Sequence, residues 1–320
     1  MILVTGATGF IGSHLVEAFS ARGEKVRCLV RRAGLAFNSP AVEIARGDLA
    51  TSEGLEAALR GVELVFHLAG VTKALRSGDY YTGNARATQN LVHALAGRGI
   101  RLVHVSSLAA IGPSADGVHI TEDAEPHPIT HYGKSKLEAE KMVRAVLPDA
   151  VIVRPPVVYG PRDTGVFQVI KPISRGLALE IGGGQRWFSA IYVKDLVEGV
   201  KAAAASPQAR GRTYFLSHPK PVSWSELAAT AAGIMGIRVR RVRVPVAAAR
   251  ALGACADLWA RISRKPAIVS REKIRDAECM YWTCDTRRAA VELNFHAQTS
   301  LEQGLAETLA WYKEAGWLQY

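Results

Sequence analysis

The sequence predicts an α/β protein whose first half folds into a parallel sheet covered by helices on both faces. Short apolar strands alternate with helical segments from Ile2 to Val153, a pattern typical of βαβ units. A glycine-rich turn, Gly6-x-x-Gly9-x-x-Gly12, separates the first strand from the first helix. A chain of 320 residues is long for one core, so a second, smaller lobe is expected.

Hydrophobic periodicity and helix-ending residues define the elements of this first half. Gly23 and Gly97 end two helices, and Ser52 or Thr51 is a candidate N-cap for another. The predicted strands are Ile2–Val4, Val26–Val30, Glu63–His67, Leu102–Ser106 and Val151–Val153. The predicted helices are Gly12–Arg22, Ser52–Leu59, Tyr80–Ala96 and Tyr132–Val146.

After Pro156 the pattern loosens, because loops rich in Gly and Pro separate short elements. The predicted elements here are strands Tyr214–Leu216 and Val242–Val244 and helices Val193–Ala205, Ser223–Met235, Val246–Ile262 and Leu301–Ala315. We assign residues 1–160 to the sheet domain, with returning segments near 189–216 and 281–285. Residues 161–188, 217–280 and 286–320 are assigned mainly to the second lobe, which is therefore interwoven with the first.

The composition, 48% hydrophobic and 22% charged, is ordinary for a globular protein. The four cysteines have neither disulfide-framework nor metal-ligand spacing, so free thiols and no metal site are expected. The chain opens on a strand without a leader-like segment, and no apolar run reaches the roughly 18–20 residues of a membrane span. These features predict a cytoplasmic protein.

The formal charge of +11 is concentrated in one C-terminal stretch. Its basic residues are Arg238, Arg240, Arg241, Arg243, Arg250, Arg261, Arg264, Lys265, Arg271, Lys273 and Arg275. A solvated face, steering of an anionic substrate or cofactor, and peripheral contact with an anionic membrane are the competing interpretations. No nucleic-acid partner is expected, because no aromatic-interleaved basic platform accompanies the charge.

The glycine turn fits a dinucleotide, because it follows a strand and opens a helix. Gly6 permits the tight turn, Gly9 lets backbone N–H groups approach a pyrophosphate, and Gly12 lets the helix pack against the strand. The helix N-terminus adds partial positive charge toward the phosphates.

The end of the second strand determines which dinucleotide is preferred. Val26–Val30 runs into Arg31 and Arg32, and two guanidinium groups suit a 2′-phosphate, so NADP is predicted, with NAD as the alternative. Asp48, in Gly47-Asp48-Leu49, is either a contact to the adenine amino group or a simple turn aspartate.

Tyr132 and Lys136 stand four residues apart and share one face of a predicted helix. We expect the Lys136 ammonium to lower the pKa of the Tyr132 phenol and so make it a usable acid/base. Ser106 and Ser107 end the fourth strand, where a hydroxyl can donate to a substrate carbonyl oxygen. Asn84 lies in a helix interior and is a candidate for binding water or bracing Lys136.

Together these residues resemble the extended short-chain dehydrogenase/reductase family. The matching motifs are Thr5–Gly12, Asp48-Leu49, His67-Leu68-Ala69, Asn84, Ser106-Ser107, Tyr132 with Lys136, Pro155–Pro161 and Tyr192–Leu196. The resemblance implies a doubly wound Rossmann sheet that binds the dinucleotide and a smaller C-terminal substrate-binding lobe. It implies a catalytic set of Ser107, Tyr132, Lys136 and Asn84, with Lys136 also holding the nicotinamide ribose. The implied cofactor contacts are Gly6, Thr8, Gly9, Phe10, Ile11, Gly12, Arg31, Arg32, Asp48, Leu49, Leu68, Ala69, Tyr132, Lys136, Pro155, Val157 and Val158.

Departures from the nucleotide-sugar epimerases of this family favour another branch. Those enzymes usually bind a substrate phosphate through an arginine where this chain has Phe188, although Arg186 is nearby. Ile111 replaces their tyrosine before Gly112, and Val269–Lys273 replaces their late Arg-x-Gly-Asp element. The segment Ser107–Pro113 is more similar to 3β-hydroxysteroid dehydrogenases and dihydroflavonol reductases. The Ala/Leu-rich helix Val246–Ile262 either walls an apolar pocket or is an ordinary packed helix.

The sequence thus predicts an NADP-dependent oxidoreductase that interconverts a secondary alcohol and a ketone on a fairly apolar small molecule. The alternative is a nucleotide-sugar epimerase or dehydratase that uses the same residues without consuming the cofactor. A third hypothesis is a cofactor-binding regulatory protein without catalysis. The family resemblance also implies a homodimer formed through the helices that carry Asn84 and Tyr132.

Overall fold

The computed structural model describes residues 1–31, 37, 39–115, 117–264 and 270–320. These residues build one sheet of seven parallel strands. The strands before residue 190 are β1 (Ile2–Thr5), β2 (Val26–Val30), β3 (Val42–Arg46), β4 (Leu64–His67), β5 (Arg101–Val105), β6 (Val151–Val153), β7 (Val157–Tyr159), β8 (Leu177–Ile181) and β9 (Trp187–Phe188). The remaining strands are β10 (Ala190–Tyr192), β11 (Thr213–Tyr214), β12 (Val222–Ser223), β13 (Arg240–Val244) and β14 (Tyr281–Trp282).

The strand order of the large sheet is β11-β6-β5-β4-β1-β2-β3. Chain order therefore reverses at β1, whose neighbours are β2 and β4. In open parallel sheets, ligands bind beyond the carboxyl ends of the strands at such a reversal. The predicted doubly wound α/β fold is confirmed, and the site is expected where β1, β4 and β5 end.

Helices cover both faces of this sheet. The α-helices of the described residues, of which only some lie on this sheet, are α1 (Phe10–Ser20), α2 (Leu55–Ala58), α3 (Ser77–Tyr80), α4 (Ala87–Leu95), α5 (His131–Val146), α6 (Val166–Ile173), α7 (Val193–Ala205), α8 (Trp224–Met235), α9 (Val246–Ser263), α10 (Arg271–Glu278), α11 (Arg287–Leu293) and α12 (Leu301–Glu314). Leu15 of α1 and Leu196 of α7 belong to the apolar core on one face. Leu91 of α4 and Val143 of α5 belong to the core on the other.

Beside the large sheet, the described ranges contain three small sheets: β10 with β7, β9 between β12 and β14, and β8 with β13. Their strands come from distant parts of the sequence. For example, β9 pairs with β14 on one side and with β12 on the other. Tyr159, Tyr192 and Tyr312 lie in one apolar cluster with α6, α8 and α12. The chain thus passes repeatedly between the large sheet and the small ones.

Several predicted elements need correction. The strand Val42–Arg46 was not predicted, because it carries charged residues and its sequence does not alternate between a buried apolar face and an exposed polar one. The helix predicted at Tyr80–Ala96 is interrupted by a π-helical segment, Tyr81–Arg86, which joins α3 to α4. The predicted N-cap at Ser52 or Thr51 is wrong, since α2 begins after Gly54, which adopts a left-handed conformation.

The helix predicted at Val246–Ile262 is present as α9, but its burial differs from both expectations. Its buried side consists of small residues such as Ala249, Gly253 and Ala260. Its large apolar side chains face outward: Leu252 and Leu258 are each 61% exposed and Trp259 is 68% exposed. α9 therefore neither walls a pocket with its leucines nor packs as an ordinary core helix.

Candidate active site

The glycine turn lies at the carboxyl end of β1, as its motif requires. Gly12 packs so tightly that a Cβ atom there would lie 2.1 Å from the Gly6 carbonyl oxygen. α1 begins after Gly9 with no side-chain cap and no acidic residue in its first turn. Its first N–H groups are thus available to an anion, which fits the pyrophosphate of a dinucleotide.

A buried hydrogen-bond chain connects this turn to Asn84. Thr5 Oγ1 contacts His67 Nδ1 at 2.7 Å and accepts from Ala69 N at 3.3 Å. His67 Nε2 contacts Thr88 Oγ1 at 2.9 Å, and Thr88 donates to the Asn84 carbonyl at 2.6 Å. Since Thr88 donates onward, His67 must carry its proton on Nε2. Burial lowers the pKa of His67 to about 3, so the ring stays neutral and the chain keeps one direction.

The predicted catalytic residues converge beyond the ends of β5 and β6. Thr130 caps α5 by accepting from Gly133 N at 3.1 Å, which places Tyr132 in the first turn. Lys136, one turn later, is 4% exposed and donates from Nζ to the Val105 carbonyl at 2.8 Å. Ser107, just past β5, is near enough to the Tyr132 hydroxyl to lower its pKa.

The close approach of α5 to the turn that follows Ser107 depends on the absence of a side chain at Gly133. A Cβ atom there would lie 2.2 Å from the carbonyl oxygen of Ala109. Ala109 belongs to the short 3₁₀ turn Leu108–Ala110, which Ser107 caps by accepting from Ala109 N at 3.1 Å. Gly133 therefore lets α5 approach the turn that carries Ser107. No sequence motif predicted this role of Gly133.

The predicted lowering of the Tyr132 pKa by Lys136 is wrong for the protein by itself. Burial raises the pKa of Tyr132, and the nearby Ser107 hydroxyl only partly opposes this effect. The Lys136 ammonium is instead bound to the Val105 carbonyl, and burial lowers its own pKa to about 8. At neutral pH the site therefore combines a phenol that keeps its proton with a cation on the neighbouring turn of α5.

Asn84 braces the site, but through groups other than Lys136. Its side chain accepts from Val71 N at 2.6 Å and donates to the Val71 carbonyl at 3.1 Å. It also donates to Ser135 Oγ at 2.9 Å, and Ser135 donates to the Tyr132 carbonyl at 2.7 Å. The π-helical backbone around Asn84 gives it this position, and π-bulges are frequent at functional sites. Ser135 was not predicted, although it lies between Tyr132 and Lys136.

The other predicted cofactor residues mostly lie around the same strand ends. Arg31 is exposed directly after β2, whereas Arg32 lies outside the described residues. Asp48 closes a turn by accepting from Ala50 N at 2.8 Å, and Leu49 beside it is buried. Thr8 is exposed at the turn, and Phe10, Ile11, Leu68, Ala69, Val157 and Val158 are half-buried, while Pro155 is buried next to β6.

The sequence did not predict a contribution from α10. Glu272 accepts from His131 N at 2.6 Å, and Arg275 donates to the Ile129 carbonyl at 3.2 Å, which fastens α10 over the start of α5. Asp276 then lies near Tyr132 and opposes its ionisation. Its Oδ1 is buried with no hydrogen-bond partner among the described residues, and burial raises its pKa to about 6. Because α10 is charged and lies far from α5 in the sequence, no local pattern indicates that it contributes to the site.

The predicted absence of a metal site and of a membrane span can be compared with the described part of the chain. There, no group of three or more His, Cys, Asp or Glu side chains is arranged to hold a metal ion. None of the helices in those ranges combines the length and apolarity that crossing a bilayer requires.

Comparison with known proteins gives a consistent family. Residues 2–216 match the model of the NAD dependent epimerase/dehydratase family. Ceramide reductase of Caulobacter vibrioides is 30% identical over 320 residues, which cover 99% of this chain and 96% of that protein. N-acetyl-alpha-D-glucosaminyl-diphospho-ditrans,octacis-undecaprenol 4-epimerase of Escherichia coli O157:H7 is 27% identical, covering 96% of this chain and 94% of that protein.

A solved structure extends the similarity to the whole fold. MoeE5 in complex with UDP-glucose and NAD superposes with a TM-score of 0.79 at 28% identity, covering 98% of this chain and 99% of that one. Reductases and sugar epimerases are thus both among the similar proteins, and the family uses NAD(P).

Proposed function

This chain belongs to the NAD dependent epimerase/dehydratase family, and we propose that it is an NADP-dependent reductase that converts a ketone on an apolar, lipid-like substrate into a secondary alcohol. The observation that carries the proposal is the burial of the Tyr132 phenol near Ser107, which raises the pKa of Tyr132. Ketone reduction needs an acid at the carbonyl oxygen, and a phenol that keeps its proton at neutral pH is such an acid.

The residues have separate parts in this reaction. When bound in the site, NADPH would supply the hydride for the carbonyl carbon. Tyr132 gives its proton to the carbonyl oxygen, and the Ser107 hydroxyl donates a hydrogen bond to that oxygen as it gains negative charge. Lys136, held by the Val105 carbonyl, is placed to bind the nicotinamide ribose. The first turn of α1 binds the pyrophosphate, and Arg31 favours the 2′-phosphate of NADP over NAD.

The substrate side supports an apolar compound over a nucleotide-sugar. Phe188, where related epimerases have a phosphate-binding arginine, is 4% exposed and packs on Trp224 with ring centroids 4.9 Å apart. Arg162 binds the Glu17 carboxylate through both terminal nitrogens, including a contact of 2.7 Å from Nη2 to Oε2, so only its Nε has no partner among the described residues. The Caulobacter relative is named for ceramide, a long-chain amide.

Asp276 supports a substrate that carries a hydrogen-bond donor near its carbonyl group. Its Oδ1 has no partner within the described ranges, and a buried acceptor without a partner is costly. A substrate N–H or O–H group next to the reacting carbon would satisfy it. An amide or hydroxyl substituent beside the ketone is therefore part of the proposed substrate class.

One observation favours the alternative, nucleotide-sugar epimerisation. Arg186 is half-buried, and its Nε lacks a hydrogen-bond partner among the residues described. It is thus the group that a substrate phosphate would contact. The alternative uses the same Tyr132 and the same dinucleotide, but the hydride returns to the substrate.

A cofactor titration followed by a substrate panel separates the two functions. NADPH should bind more tightly than NADH, because Arg31 lies at the end of β2. Among sterol-like, flavonoid-like, long-chain acyl and nucleotide-sugar compounds, the acyl ketones with a neighbouring amide should consume NADPH and give one alcohol per NADPH. Conversion of a nucleotide-sugar without net NADPH consumption would replace the proposal with the alternative.

A further inference from the structure

We propose that α9 and the arginines at its two ends form a docking surface for an anionic lipid bilayer. This inference goes beyond the proposed reaction and does not depend on it. It starts from the outward face of α9, where Leu252, Leu258, Trp259 and Ile262 are 61%, 61%, 68% and 67% exposed. An ordinary surface helix buries its large apolar side chains and exposes its small or polar ones.

The inner face of α9 explains this inversion. Ala249, Gly253 and Ala260 lie on the side that packs against α10, and a Cβ atom at Gly253 would be 3.1 Å from Ile274 Cγ1. Only small residues fit between helices this close. Leu252 lies six and seven residues before Leu258 and Trp259, and Ile262 lies four and three residues after them, which keeps the large residues on one side of α9.

Basic side chains lie at both ends of that side. β13 carries the exposed Arg240, Arg241 and Arg243, and Pro245 links it directly to α9. Arg264 follows the last turn of α9 and is also exposed. Apolar side chains with tryptophan on one face, flanked by arginines, are the features of helices that lie in the headgroup layer of a membrane.

Charge decides between a bilayer and a second copy of this chain. Residues 238–278 hold eleven Lys and Arg residues against four Asp and Glu residues. A symmetric dimer through α9 would bring two such basic segments together, and like charges would oppose it. Anionic lipid headgroups instead neutralise them, so electrostatics and apolar burial favour the same occupant.

The position of this surface fits delivery of an apolar molecule to the active site. α10 lies between the two, because it packs on α9 through Ile274 and reaches the start of α5 through Glu272. A bilayer against the outward face of α9 is therefore separated from Tyr132 by two layers, α9 and α10.

Vesicle co-sedimentation of the whole protein, without cofactor or substrate, tests the proposal. The probes are vesicles of phosphatidylcholine alone and of phosphatidylcholine mixed with phosphatidylglycerol. We expect binding to the mixed vesicles that weakens with salt, and at least ~10-fold weaker binding for a Leu258→Ser/Trp259→Ser variant. Val291→Ser, which changes an 83% exposed apolar residue on α11, is the matched control and should bind as the wild type does.

Two further measurements, tryptophan emission and light scattering, distinguish membrane binding from dimer formation. Tryptophan emission should shift to shorter wavelength on adding mixed vesicles, and Trp259→Phe should remove most of that shift. Equal binding by the double variant, or no binding by the wild type, would overturn the proposal. Light scattering that shows a dimer lost in the double variant, together with no vesicle binding, would assign the surface to a second copy. Because turnover is not measured, failure here leaves the proposed reaction untouched.

Discussion

Single residues account for the acid chemistry of the site. α5, which carries Tyr132, packs closely on the turn after Ser107 because Gly133 has no side chain, and Lys136 is held by the Val105 carbonyl. The sequence predicted which residue types gather here, since their spacing follows from the helix and strand periods. It could not predict the direction of the Tyr132 pKa, because burial and the neighbouring Asp276 come from α10 and the surrounding packing.

Asp276 provides a prediction about stability and pH. Its carboxyl keeps its proton up to about pH 6 in the folded protein, compared with a usual pKa of 3.8. The folded state thus binds more protons between these values, so the associated stability is present below pH 3.8 and is lost as pH rises through 6. Asp276→Asn should raise the free energy of unfolding at pH 8 by about 1–3 kcal/mol, an advantage that disappears at low pH.

Urea unfolding at the two pH values measures this difference. Asp149→Asn, which changes an exposed carboxyl, is the control and should show little change with pH. A loss of stability in Asp276→Asn of the same size at both pH values would mean that the carboxylate makes stabilising contacts as an anion.

At the scale of elements, the periodic segments were predicted well and the irregular ones were not. β1, β2, β4, β5 and β6 were found because both faces of a parallel sheet are buried, which gives continuous apolar runs. The edge strand β3 pairs on one side only, so charged residues are tolerated along it. The π segment around Asn84 depends on side-chain contacts to Val71 and Ser135, which no local pattern encodes.

The junction of β1 and α1 allows a test with two glycine substitutions. Gly12→Ala should lower the free energy of unfolding by about 2–4 kcal/mol, because the new Cβ meets the Gly6 carbonyl oxygen at 2.1 Å. Gly233→Ala, on an exposed position of α8 with no atom within 4 Å of the added Cβ, should instead stabilise by about 0.5–1 kcal/mol. Thermal or urea unfolding checks both, and similar effects of the two would contradict the close packing at Gly12.

For the whole molecule, the sequence predicted a doubly wound sheet with a second, interwoven set of elements. It could not predict that α10 fastens to α5 through Glu272, or that α9 turns its large apolar residues outward. The first depends on a contact between segments more than a hundred residues apart. The second depends on which of two apolar faces of α9 packs against the protein. The proposed reaction and the proposed membrane surface thus meet at α10.

The central claim is that the Tyr132 hydroxyl is the acid in NADPH-dependent ketone reduction, and a paired kinetic measurement of two Tyr→Phe variants tests it most directly. Tyr132→Phe should lower turnover of the long-chain ketone ~10²–10⁴-fold while NADPH still binds. Tyr81→Phe, which removes a hydroxyl that contacts His131 Nδ1 at 3.2 Å, should keep the wild-type rate. Wild-type turnover by Tyr132→Phe would contradict the account.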